Sequence, residues 1–468
     1  MAAKFQFERV VGFSPEQADE ILRSVPALPG VFALYGEQAN SEPYLTRAAD
    51  LRRRMRRMLA PPESQSKRLN LRDRVTRIEY TVTGSEFEST LTLYHAAAAI
   101  FGYGEARRRL KLHTPTFLRM TMENEFPRVY ATNRLSKRGL AEMYGPFPSR
   151  AAAERYCDAV LDLFKLRRCH EDLQPYPEHP GCVYGEMKMC IAPCKQACTH
   201  AEYAAEAAAV KAFFDTRGDS LLAQVAADRD RASEEMEFER AAALHEQHQR
   251  VKAAAALADE IVRPVPKLRV VIVQKAAAVD ERKDEAAVFL LEARCLTGPE
   301  RLSTLGVRAV KEQTSVGSSL FAQPLMLQAV PLPPERASSA VGEPVDTANS
   351  PEDRARAVVE RLEERTRPGF DVAMLSDHLS LFRRWYYRPE KQRVGEAFLP
   401  NVDGSWPVRR ILRGAARQVL GNPKPLPEVQ RDAAGAAETR ILHEGRPEVE
   451  RVVATIGRKR RKPQTEET

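Results

Sequence analysis

The 468-residue sequence contains no run of about 18 consecutive apolar residues, so no segment of it reads as a membrane-spanning helix. Its first ten positions carry Lys4, Glu8 and Arg9 where a secretory leader needs an apolar core, which argues against a signal peptide and for a cytoplasmic protein. Collagenous and coiled-coil patterns are absent, and tryptophan occurs only at Trp385 and Trp406. Cysteine is scarce and uneven: of seven residues, six crowd between Cys157 and Cys198. An odd, clustered set in a reducing compartment speaks against disulfides and for a metal site.

What is present fits a folded, multidomain chain. Hydrophobic residues make up 43% and charged residues 29%, too much apolar material for a wholly disordered protein. Lys and Arg number 72 against 64 Asp and Glu, a net charge of +8, and the excess is locally concentrated. Between Arg47 and Arg77 lie Arg52, Arg53, Arg54, Arg56, Arg57, Lys67, Arg68, Arg72 and Arg74, opposed by Asp50, Glu63 and Asp73 alone. Such a segment suits a polyanionic partner, although an isolated charge run is more often a solvated helix face.

The pattern around it predicts an α+β module. Gly30–Tyr35 and Pro43–Leu45 read as short strands joined by a polar turn, Ile78–Thr83 as a third strand and Ser85–Ile100 as a helix. In the helix from Leu51, helical periodicity puts Leu51, Met55, Met58 and Leu59 on one face, Arg52, Arg53, Arg56 and Arg57 outside it, and Arg54 at its edge. Further on, Phe117–Arg119 and Arg128–Tyr130 suggest strands, and Tyr144–Ser149 a turn opening an amphipathic helix. An Ala/Glu/Arg-rich stretch to about Val262, broken near Gly218, predicts a helical hairpin. Val270–Val273 and Val288–Leu291 are strand-like, Pro331–Pro351 reads as a linker, and Arg458–Lys462 is a basic tail. The expected layout is an α+β module at 1–105, a linker module with cysteines at 106–200, a helical region at 201–262, a β-rich part at 263–330, a linker at 331–351, a helical part at 352–425 and a tail at 426–468.

The most specific motif is Cys169-x12-Cys182-x7-Cys190-x3-Cys194. Four thiolates can close a tetrahedral zinc shell or hold a 4Fe–4S cubane. The spacing lacks the paired C-x2-C knuckles of a zinc ribbon, which favours the iron–sulfur cluster, with zinc as the alternative and four unligated core thiols as the bland reading. Cys157, Cys198 and Cys295 read as structural. Trp385-Tyr386-Tyr387 beside Arg383, Arg384 and Arg388 invites base stacking, but such a cluster is more often core.

Several of these segments resemble the bacterial UvrC family. Leu28-Pro29-Gly30-Val31-Phe32 and Tyr44-Leu45-Thr46-Arg47 through Arg54 look like its N-terminal GIY-YIG nuclease domain. Tyr144–Ser149 and the cysteine spacing are similar to the segment that follows it, and Met236–Leu244 is similar to the UVR motif, the hairpin that pairs with UvrB. The resemblance runs in order over roughly residues 25 to 260. It implies a role in nucleotide excision repair, double-stranded DNA and a UvrB-like protein as partners, and metal-dependent single-strand incision as the family activity. It implies catalytic roles for Tyr44, Arg47 and Arg54, DNA contacts from Arg52, Arg53, Arg56, Arg57, Lys67 and Arg68, and partner contacts from Phe238, Glu239, Ala242 and Leu244.

This chain also departs from the family at the chemistry. Phe32 stands at the GIY tyrosine, Thr46 at the YIG glycine, and Arg47 replaces a lysine. Aligning Thr83–Glu88 with the family's helix puts Leu93 where the metal-binding glutamate is expected; a different register would bring Glu86 or Glu88 there. Without a carboxylate, Mg²⁺ or Mn²⁺ has no protein anchor. The region after 331 shows no acidic triad of the family's RNase H-like domain, nor room for its helix–hairpin–helix domain as well, so a second incision activity is not expected. Three functions stay open: an incision enzyme, a non-catalytic DNA- and partner-binding accessory, and a redox-responsive iron–sulfur DNA-binding module.

Overall fold

The computed structural model describes residues 5–38, 41–61, 69–171, 173–278, 284–292, 295–305, 307, 350–365 and 371–421. The expected linker before 350 and the basic tail lie outside the described residues, as do Lys67 and Arg68.

The first layer is the expected α+β module, with one strand more than the pattern indicated. In chain order come β1 (Arg9–Gly12), α1 (Ala18–Ser24), β2 (Gly30–Gly36), β3 (Tyr44–Ala48), α2 (Leu51–Leu59), β4 (Val75–Val82), α3 (Glu86–Phe101) and α4 (Tyr103–Arg109). The strands form an antiparallel sheet in the order β1-β4-β2-β3. β1 is short and mostly exposed, so it carries no apolar alternation to betray it. Gly30 is required where β2 leaves the loop: a Cβ there would meet the Thr81 carbonyl at 2.4 Å and the Leu51 side chain at 2.7 Å. α2 starts at Asp50, whose carboxylate accepts from the Arg53 backbone N–H, and it buries Leu51, Met55, Met58 and Leu59 as the periodicity predicted.

The second layer contains β5 (Thr116–Met120), β6 (Val129–Thr132), β7 (Met143–Phe147), α5 (Arg150–Leu161), α6 (Val183–Glu186), α7 (His200–Thr216), α8 (Asp219–Glu234), α9 (Phe238–Ala255) and β8 (Arg263–Pro264). Its sheet order is β6-β5-β7-β8. Here one expectation is corrected: most of the Tyr144–Ser149 turn is strand β7, with all five of its residues buried. Gly145 and Pro146 suggested a turn, but the pair sits at an irregularity of the β5–β7 register, and a Cβ on Gly145 would lie 2.7 Å from the Phe117 ring. Ser149 does open α5, accepting from the Ala152 N–H. The break at Gly218 is a left-handed residue between α7 and α8, and α8 and α9 pair as the helical hairpin.

The third layer joins segments that the sequence reading kept apart. β9 (Val270–Lys275), β10 (Glu285–Glu292) and β11 (Cys295–Ser303) take their fourth strand from β12 (Glu396–Phe398), in the order β11-β10-β9-β12. α10 (Pro351–Glu364) and α12 (Val408–Leu420) cover the face presenting Val271, Val273, Val288 and Leu290. The other face, with Val270, Ile272, Phe289 and Leu291, packs on α11 (Val372–Tyr386) and on α3 of the first layer. Thus residues 270–303 and 396–398 share one sheet, and helices from 351–420 pack on both of its faces.

α3 is the element common to the first and third layers. The Phe87 ring lies 5.3 Å from the rings of both Phe289 and Trp385, and a Cβ on Gly84 would overlap the backbone of Lys275 to Ala277. Trp385 and Tyr386 are buried in this core, with the indole N–H donating to the Val394 carbonyl at 2.8 Å, so they pack and are not presented for base stacking. Truncating Phe87 removes about 150 to 250 Å² of buried aromatic surface between two layers. Phe87→Ala should cost about 3 to 5 kcal/mol, and denaturant unfolding followed by tryptophan fluorescence and by far-UV circular dichroism should show both signals shifting together.

Candidate functional site

The strand alternation of β3 divides the three residues assigned to catalysis. Tyr44 and Thr46 face the α2 side of the sheet, whereas Leu45 and Arg47 face the α3 side. On the first side the structure brings Tyr44 and Arg54 together: Arg54 Nη2 donates to Tyr44 Oη at 3.1 Å. Phe32 is buried behind them, its ring 6.3 Å from that of Tyr44, and supplies no hydroxyl. Arg47 does not join the pair. Its Nη1 donates to Glu86 Oε1 at 3.1 Å and to Thr90 Oγ1 at 2.9 Å on the opposite face.

Leu93 lies with Val31, Ala33, Leu45 and Ala96 in a small apolar cluster. As an alkyl side chain, Leu93 itself offers no oxygen donor to a divalent cation. The two carboxylates of the first turn of α3 are committed elsewhere. Glu86 is held by Arg47 and, through two hydrogen bonds of 2.6 and 2.9 Å, by Arg388; these arginines lower its pKa to about 2. Glu88 is 2% exposed, accepts from the Gly84 N–H at 2.7 Å and lies 4.0 Å from Arg301; burial raises its pKa to about 7. The Glu86–Arg388 pairing was not readable from sequence, because its partners are 302 positions apart.

Part of the charge of the basic helix is exposed to solvent. Arg53, Arg56 and Arg57 are exposed on α2, and Arg56 and Arg57 sit in its last turn, where cations complement the helix dipole. Arg52 is turned inward, donating to the Val25 carbonyl at 2.6 Å, and serves the fold more than the surface.

None of the seven cysteines is in a disulfide. Among the described residues no three His, Cys, Asp or Glu side chains are gathered into a metal shell, yet Cys169, Cys182 and Cys194 all act on Cys190 electrostatically. Burial, reinforced by those thiols, pushes Cys190 up to about 11. Hydrogen-bond donors point at two of the sulfurs: Ala192 N–H lies 3.4 Å from Cys190 Sγ, and Arg167 Nη1 lies 3.6 Å from Cys169 Sγ. Arg167 is itself buried and also donates to the Phe126 and Glu171 carbonyls. Four thiols with such donors have the chemistry of a thiolate-bound metal or cluster. Cys157 and Cys295 are buried, in keeping with a packing role.

The hairpin tip is apolar and open. Met236, at φ +60° in the α8–α9 turn, is 75% exposed, and Phe238, first residue of α9, is 69% exposed. Glu239 and Ala242 are exposed and Leu244 is half-buried, so this segment is a presented surface and not an ordinary core helix. The exposure of Met236 is not signalled by the motif that contains it.

These features define a class: an α+β module with a basic helix, followed by a cysteine-bearing module and a projecting helical hairpin. Comparison with known proteins narrows it. Residues 116–213 match the UvrC/Cho excinuclease middle domain. The chain is 28% identical over 232 residues to UvrABC system protein C of Carboxydothermus hydrogenoformans, 30% over 251 residues to that of Koribacter versatilis and 28% over 238 residues to that of Escherichia fergusonii. The matches take in 49%, 51% and 50% of this chain and 37%, 40% and 38% of those proteins. The resemblance to the UvrC family therefore holds over about half of the chain, which spans well under two thirds of the relatives it matches. No solved structure matches. Among the described residues, no helix is long and apolar enough to cross a membrane.

Glu88 gives the site region a pH signature. Its carboxyl binds a proton more tightly folded than unfolded, so its contribution favours folding below pH 4.5 and fades as the pH rises to about 7. Glu88→Gln should stabilise the protein by up to about 3 kcal/mol at pH 8 relative to pH 4.5. Thermal melts of both proteins across that range should converge at the acid end and separate at the alkaline end.

Proposed function

We propose that this chain is a DNA- and partner-binding protein of nucleotide excision repair whose GIY-YIG-like module holds duplex DNA without cutting it. The observation that carries the reading is Leu93: the position expected for the metal-binding glutamate is an alkyl side chain inside an apolar cluster. Phe32 and the separation of Arg47 from Tyr44 and Arg54 point the same way. In this reading Arg53, Arg56 and Arg57 hold backbone phosphates, and affinity is sequence-independent and falls with salt.

One observation favours the rival reading, metal-dependent incision. The hydrogen-bonded Tyr44–Arg54 pair retains a phenol and a guanidinium that could orient a water and steady a phosphoryl oxygen, with Mg²⁺ or Mn²⁺ supplying the Lewis acid.

The α8–α9 tip is proposed as the dock for a UvrB-like protein, with Met236 and Phe238 as apolar anchors and Glu239, Ala242 and Leu244 beside them. Cys169, Cys182, Cys190 and Cys194 are proposed to hold an iron–sulfur cluster, or zinc as the alternative; once bound, it would cross-link a long irregular segment that has little regular structure of its own. The redox-responsive module remains the variant of this reading in which the cluster's state controls DNA binding.

Fluorescence anisotropy with a lesion-bearing duplex, in the presence and absence of a UvrB-like protein, tests both surfaces. The Arg56→Ala, Arg57→Ala double variant should flatten the log–log salt slope by about 2 without changing partner binding. Phe238→Ala should weaken partner binding by about tenfold or more and leave binding of DNA alone intact. Duplex affinity indifferent to both salt and the arginines would overturn the DNA reading.

A further inference from the structure

Arg47 and Arg388 converge on one carboxylate. Glu86 Oε1 accepts from Arg47 at 3.1 Å and from Arg388 at 2.9 Å, and Oε2 accepts from Arg388 at 2.6 Å. The Thr90 hydroxyl lies 2.9 Å from the same Arg47 nitrogen. Two guanidinium charges face a single carboxylate charge, leaving the cluster one positive charge in excess. The cluster is also open to solvent: the side chains of Arg47, Glu86 and Arg388 are 42%, 50% and 36% exposed.

A phosphodiester presents two non-bridging oxygens and one negative charge, which the planar fork of arginine recognises as it does a carboxylate. We propose that Arg47, held in place by the Thr90 hydroxyl, and Arg388 form a cradle for a DNA backbone phosphate, and that Glu86 occupies it as an internal competitor. The proposal rests on the DNA-binding reading above. It commits to a backbone phosphate because β3 is the edge strand of its sheet, so Arg47 and the basic helix α2 flank one rim from opposite faces. A duplex lying along that rim meets both. In this arrangement Glu86 sets the affinity: DNA must displace the carboxylate, and Arg388, which follows α11, couples the exchange to the third layer.

The test is duplex binding by the full chain over a series of salt concentrations, using an undamaged blunt duplex. Glu86→Gln should tighten binding severalfold, because the same phosphate contact is then made at no competitive cost. Arg47→Gln, which leaves the Glu86–Arg388 pair in place, should weaken binding and flatten the slope by about 1. A folded Glu86→Gln protein, matched to the parent in circular dichroism, with unchanged or weaker affinity would overturn the cradle. Should that variant fail to fold, an Arg47→Gln slope equal to the parent's would overturn it alone. If the parent and the Arg56→Ala, Arg57→Ala variant both fail to bind duplex, the DNA reading itself falls. If the parent binds through α2 and only the Glu86 effect is missing, the cradle alone falls. Titration with inorganic phosphate separates the sources: tighter phosphate binding by Glu86→Gln without tighter duplex binding would contradict a backbone ligand.

Discussion

The burial of α3 between two sheets is the constraint on which the rest of the structure depends. A helix serving a single sheet needs one apolar stripe, but α3 buries residues around much of its circumference, from Phe87 and Leu91 to Tyr94 and Ala96 to Ala98. Phe87 reaches Phe289 and Trp385, the Tyr94 hydroxyl donates to Asp377 at 3.1 Å, and Gly84 leaves no room for a side chain against β9. Close packing of this kind fixes the first and third layers together and transmits a change in either to the other.

That constraint also shapes what the N-terminal face can do. The helix that would carry a metal-binding carboxylate toward the sheet instead presents Leu93 to Val31, Ala33 and Leu45, while its first-turn acids serve as a cap ligand and an ion-pair partner. What survives on the α2 side is a tyrosine, an arginine and a row of exposed cations. In the proposed reading this surface holds phosphates without breaking them.

Much of this was legible in the sequence because local rules govern it. Periodicity located the buried stripe of α2, and Gly218 marked the break in the helical stretch. The mixed α and β character followed from the same patterns, whereas the antiparallel pairing of the strands did not. The turn expected at Tyr144 failed because Gly-Pro signals a turn in isolation, yet here the pair lies buried within a strand that packing imposes. Contacts between distant segments left no local trace: β12 completing the sheet of β9 to β11, or Arg388 reaching Glu86. Within the candidate site, the resemblance grouped Tyr44, Arg47 and Arg54; the structure pairs Tyr44 with Arg54, but the pleat of β3 sends Arg47 to the other face, a distinction that the motif alone does not encode.

The central claim is that the GIY-YIG-like module binds DNA without cutting it. The most direct measurement is product analysis after incubating anaerobically purified protein with a lesion-bearing duplex, a UvrB-like partner and Mg²⁺ or Mn²⁺, beside a Tyr44→Phe, Arg54→Ala variant. The account predicts a retained protein–DNA complex with no nick above that of the variant. A metal-dependent nick made by the parent and lost in the variant would contradict it.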